Sequence, residues 1–183
     1  GLAGLASETL GREPAFRFFD LGRRIERGLV MVGVLGEVLS ADLEGDAERE
    51  CLSLVMQSMD SLIGFRRRYR AEPFLSGTLE LLIWEADNPR ALLYQLHTAR
   101  HHLGEIPRAA QHPEADHLLH LATERLQALR APSLPDGESR AALRLALHDL
   151  RARLFAASDA VSHAWFSHIQ EARALGPAPR ATP

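Results

Sequence analysis

Apolar residues return along this chain every three or four positions, and nowhere do they alternate with polar ones over the length of a strand. That spacing gathers them on one helix face, whereas a half-buried strand needs period two. The chain therefore reads as all-α. After Pro14, the residues Phe18, Leu21, Ile25, Leu29 and Val32 fall within one arc of about 100°, which is a core face. Pro14 suits the first turn, where the amide hydrogen it lacks would have no partner. The spacing predicts a helix from Pro14 to about Leu39.

Beyond ADLEGDA, the residues Leu52, Val55, Met56, Met59, Leu62 and Ile63 predict a second helix that ends in the basic run Arg66, Arg67, Arg68, Tyr69, Arg70. Pro73 breaks the pattern, and the short apolar segment TLELLIWE leads to Asp87-Asn88-Pro89-Arg90. There Asn88 is placed as the cap of a helix whose first position is Pro89 and whose terminator is Gly104. Further helices are predicted from about Glu114 to Arg130 and from about Glu138 to Glu171, with the turn-rich loop APSLPDGES between them. Short connections make neighbouring long helices antiparallel, giving a bundle of about five to seven helices. At 183 residues this is one domain, residues 1–173, followed by a flexible tail rich in proline and small residues, 174–183.

The 21 basic residues are all arginine and face 24 acidic ones, leaving a formal charge of -3. No overall field favours nucleic acid or an anionic membrane. No apolar run approaches the ~18 residues of a membrane span and no signal peptide opens the chain, so a cytoplasmic location is expected. Cys51 is the only cysteine, which rules out an internal disulfide, and it is expected as a small buried residue. The start, GLAGLASETL, reads as the middle of a helix, as if this were a piece of something longer. An uncovered core face on such a piece would favour a homodimer.

Familiar nucleotide and hydrolase signatures are missing: there is no Walker-type glycine loop, GxGxxG, GxSxG or HExxH. His97 and His101, with Asp116, His117, His120 and Glu124, have helical spacing that could offer metal ligands, but the carboxylate-rich pairing of di-iron bundles is not repeated and no metal site is expected. In SDAVSHAWFSH, Ser158, Asp159, Ser162, His163 and His168 lie close in sequence. His163 and His168 are i,i+5 and diverge, so capping or interhelical bonding by Ser158, Asp159 and His168 fits better than a triad. The charges between Arg17 and Val32 are the sharpest pointer. On a helical wheel Asp20, Arg23 and Arg27 fall opposite the core arc, and Asp20 with Arg24 is expected to be an exposed i,i+4 pair. Glu26 lies at a boundary near Gly22 and Gly33, where an interhelical partner such as Arg67, Arg68 or Arg90 is expected. Structural clamp and ligand site both remain open for it.

Several segments together resemble the bacterial alpha-E family. They are GLAGLASETL with AFRFFDLGRRIERGL, then FRRRYR, then LELLIWEADNPRALLYQLHTARHHLGEIP, and LFAASDAVSHAWFSH. They occur in family order, and the resemblance is to the C-terminal part of a longer family domain. It implies an all-helical domain encoded beside, or fused to, a circularly permuted ATP-grasp protein, often near a transglutaminase-like protease, in sets that look like peptide or amide synthesis and modification systems. ATP and Mg would then serve the ATP-grasp partner, with no cofactor in this chain. The family positions carried over are Arg23, Arg24, Glu26 and Arg27; Arg67, Arg68 and Tyr69; Asn88, Pro89, Arg90 and Gln95; and Ser158, Asp159, Phe166, Ser167 and His168. Ala91 replaces a usual serine and Trp165 a usual tyrosine. The resemblance implies a helical accessory domain that presents a peptide or amino acid to an amide ligase, Glu26 taking an amine and Arg67, Arg68 or Arg90 a carboxylate or phosphate. The alternatives are an enzyme with Glu26 or His168 as general base, and a purely structural bundle that makes protein contacts.

Overall fold

In a computed structural model, which describes residues 14–41, 43–129 and 137–167, the chain is all-α. The described residues form seven α-helices: α1 (Pro14–Ser40), α2 (Gly45–Ser58), α3 (Leu62–Tyr69), α4 (Leu75–Leu79), α5 (Leu92–Gly104), α6 (Glu114–Ala128) and α7 (Gly137–Phe166). A π-helical turn, Glu80–Trp84, extends α4, and a short 3-10 turn, Ala109–Gln111, precedes α6. The tail predicted at 174–183, the loop before Gly137 and the opening GLAGLASETL lie outside the described residues.

Four long helices close a ring in which α1 packs on α5 and α7, and α6 packs on the same two. Their apolar arcs supply the core, including Leu21, Ile25 and Val32 of α1, Leu92 and Leu96 of α5, Leu119 and Leu126 of α6, and Leu147 and Leu154 of α7. Opposite running of α1 and α5 is fixed by Asp20 meeting His102 and Arg24 meeting Gln95. In the same way Phe18 meets Trp165 on α7 while Gly28 meets Leu154. The glycine that permits close approach is Gly28, where a Cβ would stand 3.2 Å from Leu154 Cδ1; at Gly22 and Gly33, which the sequence pattern points to, there is open space.

The predicted second helix is broken. Met59, Asp60 and Ser61 separate α2 from α3, and Asp60 has φ of 55°. The Asp60 amide donates to Gln57 O and the Ser61 amide to Met56 O, the paired bonds of a helix stop that normally places glycine at the left-handed position. For an L-residue this conformation costs about 1 kcal/mol, and the carboxylate also faces the negative end of the α2 dipole. The apolar period runs on across the break, so Ile63, expected in the core, is 86% exposed.

The start of α5 also differs from expectation. Residues 88–91 form a turn in which the Ala91 amide donates to Asn88 O, so Asn88 caps nothing and Ala91 holds the N-cap position, without a side-chain cap. Asn88 instead accepts from the Arg90 amide through Oδ1 and donates through Nδ2 to Leu81 O, tying this turn to the π-helical turn. TLELLIWE is buried as α4 and the π-helical turn, where Trp84 Nε1 donates to Leu126 O at 2.9 Å. Cys51 is half-buried rather than fully buried.

Candidate ligand cavity on the Glu26–Arg27 face

One turn of α1 carries a buried carboxylate. Asp20, expected on the solvent side, is 2% exposed because α5 covers it. Its Oδ1 accepts from Arg23, and its Oδ2 accepts from Arg24 Nε at 3.0 Å and from His102 Nε2 at 2.6 Å. Burial alone would raise this carboxyl's pKa, but the hydrogen bonds and charges of Arg24 and Arg23 outweigh it and leave the net value lowered. On the other side of the imidazole, Arg17 Nη1 lies 3.1 Å from His102 Nδ1. A guanidinium only donates, so Nδ1 must accept, and the ring is neutral with its proton on Nε2. Burial accordingly holds the His102 pKa below its ordinary value, with Arg17 and His101 adding to the effect and Asp20 opposing it.

Above this buried pair the arginines divide. Arg24 turns into the α1–α5 interface, donating to Gln95 Oε1 at 3.1 Å and lying over the Tyr94 ring. Gln95, 1% exposed, passes the contact on: its Nε2 donates to Pro89 O and Ala91 O, which pins the 88–91 turn against α5. Arg23 faces a cavity of about 520 Å³ whose walls come from α1, from the α2–α3 break and from the 88–91 turn. Its charged lining is Arg23, Glu26, Arg27, Asp60 and Arg90. Glu26 and Arg27 are exposed into it, and among the described residues neither has an ion-pair partner. The expected clamp of Glu26 by Arg67, Arg68 or Arg90 is therefore not formed: Arg68 pairs with Glu85 and Arg90 with Asp60.

Of the residues singled out in the sequence, the fold brings Arg23, Glu26, Arg27, Pro89, Arg90 and Gln95 to one cavity, with Arg24 and Asn88 bracing its walls. Arg67, Arg68 and Tyr69 lie apart on α3. There Arg68 stacks over Tyr69, whose ring packs with Phe65 and Phe74. Burial is the largest cause holding the Tyr69 pKa above its ordinary value, helped by Glu80 and Glu85 and opposed by Arg68. Ser158 and Asp159 are on α7 away from the cavity lining, Ser158 O accepting from Ser162 Oγ. Phe166 packs edge-on against Phe18, and Ser167 lines a second cavity of about 370 Å³ with His112 and His163. His168 lies outside the described residues. The metal-spaced residues are otherwise engaged, Asp116 with Arg100 and His120 with Glu124, and among the described residues no group of three or more His, Cys, Asp or Glu side chains converges.

Family comparison acquires a structural meaning here. The Alpha-E family model, described as a predicted alpha-helical domain with a conserved ER motif, matches residues 1–166. The chain belongs to the Alpha-E family. Three Glu-Arg dipeptides fall within the matched residues, Glu26-Arg27, Glu48-Arg49 and Glu124-Arg125, and only Glu26-Arg27 lines this cavity. Similar proteins include uncharacterised ones from Mycobacterium tuberculosis and Mycobacterium bovis, each 32% identical over 106 residues, which is 58% of this chain. The match spans 12% of the length of those curated Alpha-E relatives. No solved structure matches the chain. Among the described residues no helix is long and apolar enough to cross a membrane.

Two contributors escape sequence reasoning. Asp20 depends on His102, 82 positions away, which no single-helix wheel contains. Asp60 had no signal beyond being a polar residue inside an apolar period.

Proposed function

We propose that this Alpha-E domain is an accessory module that holds the charged end of an amino acid or peptide for an ATP-grasp amide ligase. The observation that carries the reading is the cavity itself, where a carboxylate, Glu26, and a guanidinium, Arg27, face the same space without partners. Charged side chains left unpaired at a concave surface complement an amine and an anion on one ligand, and arginine's planar fork suits a carboxylate or phosphate. In this reading Glu26 takes the amine, while Arg27 and Arg90 take the anion. The ATP-grasp partner, and with it ATP and Mg, rests on family resemblance alone.

The test is calorimetry on the full chain with free amino acids and short peptides, comparing wild type with Glu26→Gln and Arg27→Gln, alongside co-purification with an ATP-grasp protein. Saturable binding lost in both folded variants supports the reading; absence of binding to any of these ligands removes it. The cavity also favours a second reading, an enzyme with Glu26 as general base, which turnover of the same peptides by the isolated domain would support.

A further inference from the structure

Asp60 is the one residue of the cavity wall whose placement local preference opposes. It sits at φ of 55° in a helix stop suited to glycine, and its negative charge lies at the negative end of α2. Conflicts of this kind concentrate where a side chain serves a site. Its carboxylate pairs with Arg90 of the 88–91 turn, 30 residues away in sequence, and both line the same cavity as Glu26 and Arg27. With its side chain 81% exposed against 45% for Arg90, the pair is water-screened and readily exchanged.

On the reading given under the proposed function, we infer that Asp60 is a built-in counter-anion, occupying Arg90 until the carboxylate or phosphate of a ligand takes its place. Arg90 is braced for that exchange from its own side: Asn88 holds its amide, and Gln95 fixes the carbonyl of Pro89. The backbone that aims the guanidinium therefore does not depend on Asp60. The incoming anion displaces one carboxylate from one arginine, with no bond made or broken beyond hydrogen bonds. Asp60 then sets specificity, because only a ligand that offers Arg90 a better anion than an exposed aspartate is retained.

Titration calorimetry of the full chain with alanyl-alanine, its C-terminal amide and inorganic phosphate tests this. Asp60→Asn keeps a residue that tolerates the left-handed region, and Asp60→Gly relieves it altogether. Both variants should bind anionic probes about two- to fivefold tighter than wild type, the fold-change that corresponds to losing one exposed ion pair as a competitor. The amide should gain nothing, and Arg90→Gln should abolish the gain. A gain for alanyl-alanine alone assigns the anion as a carboxyl terminus, and a gain for phosphate as well assigns a general anion site. Wild-type binding that is unchanged or weakened in both Asp60 variants overturns the counter-anion role and leaves the cavity reading standing. Absence of binding in wild type and in both variants overturns the two together.

Discussion

His102 Nε2 donates to Asp20 Oδ2 at 2.6 Å across the α1–α5 interface, and this bond joins the charged floor of the cavity to the opposite helix. Asp20 in turn sets the direction of Arg23 and Arg24, so one buried carboxylate orients one arginine toward ligand space and another toward the core.

Removing that carboxylate should be the most damaging single polar change in the domain. Asp20→Ala strands Arg24 and the His102 proton in a buried interface, a loss of about 3–5 kcal/mol by analogy with broken buried pairs. Urea denaturation followed by circular dichroism should show a midpoint far below wild type, and a loss under about 1 kcal/mol would refute the buried pair.

Two groups make stability fall with acid. His102 is held neutral by burial, below its ordinary value of 6.5, so the unfolded chain takes up a proton before the folded one does. Its contribution is full above pH 6.5 and is lost as pH falls toward the folded value. Asp20, lowered from 3.8, contributes above that value and loses its contribution as pH drops through the folded one. His97, lowered by partial burial and by Arg100, has the same sign as His102. Melting temperatures measured from pH 8 to pH 3 should decline in two stages, and His102→Gln should diminish the upper stage while leaving the His97 share.

Gln95 offers a separation of wall from ligand groups. Gln95→Leu deprives Arg24 and the Pro89 carbonyl of partners inside the fold and should cost about 1–3 kcal/mol. Glu26→Gln, at an exposed position without a partner, should stay within about 0.5 kcal/mol of wild type. Equal destabilisation by both in the same denaturation experiment would contradict the assignment.

Ala91 holds the N-cap of α5 in an extended conformation, with φ of -86° and ψ of 148°. Ala91→Ser should stabilise the domain by about 1 kcal/mol, since a serine oxygen there can accept from the amides of the first turn. The serine usual in the family at this place then reads as a helix cap, so its replacement need not cost the domain any chemistry. A fall in the melting temperature of the variant would count against that role.

The sequence pattern made the bundle legible because apolar spacing is local, and the arc from Phe18 to Val32 does face α5 and α7. It also located Glu26, Arg27 and Arg90 as residues of interest through the family motifs, though not the cavity they share. What escaped it depends on contacts between distant segments or on backbone geometry without a composition cue. Asp20 looks exposed on its own helix until α5 covers it. The break at Asp60 uses a residue that advertises no turn, inside an apolar period that continues to Leu62 and Ile63. Asn88 and Pro89 carry a real turn signal, but a turn and a helix start share the same letters, and Leu81 decides between them by accepting the Asn88 amide.

The π-helical turn gives the domain a counting constraint. Its closing bond runs from the Glu85 amide to Glu80 O, five residues back, so the segment carries one residue more per turn than an α-helix. Deleting any one residue between Glu80 and Trp84 would let the segment relax to α-helical winding and swing everything after it by about 100° around the axis. Asn88 would lose Leu81, and Arg90 would be aimed away from Glu26 and Arg27. Chains of this family that keep the cavity must therefore keep the length of this segment, whatever side chains they place in it.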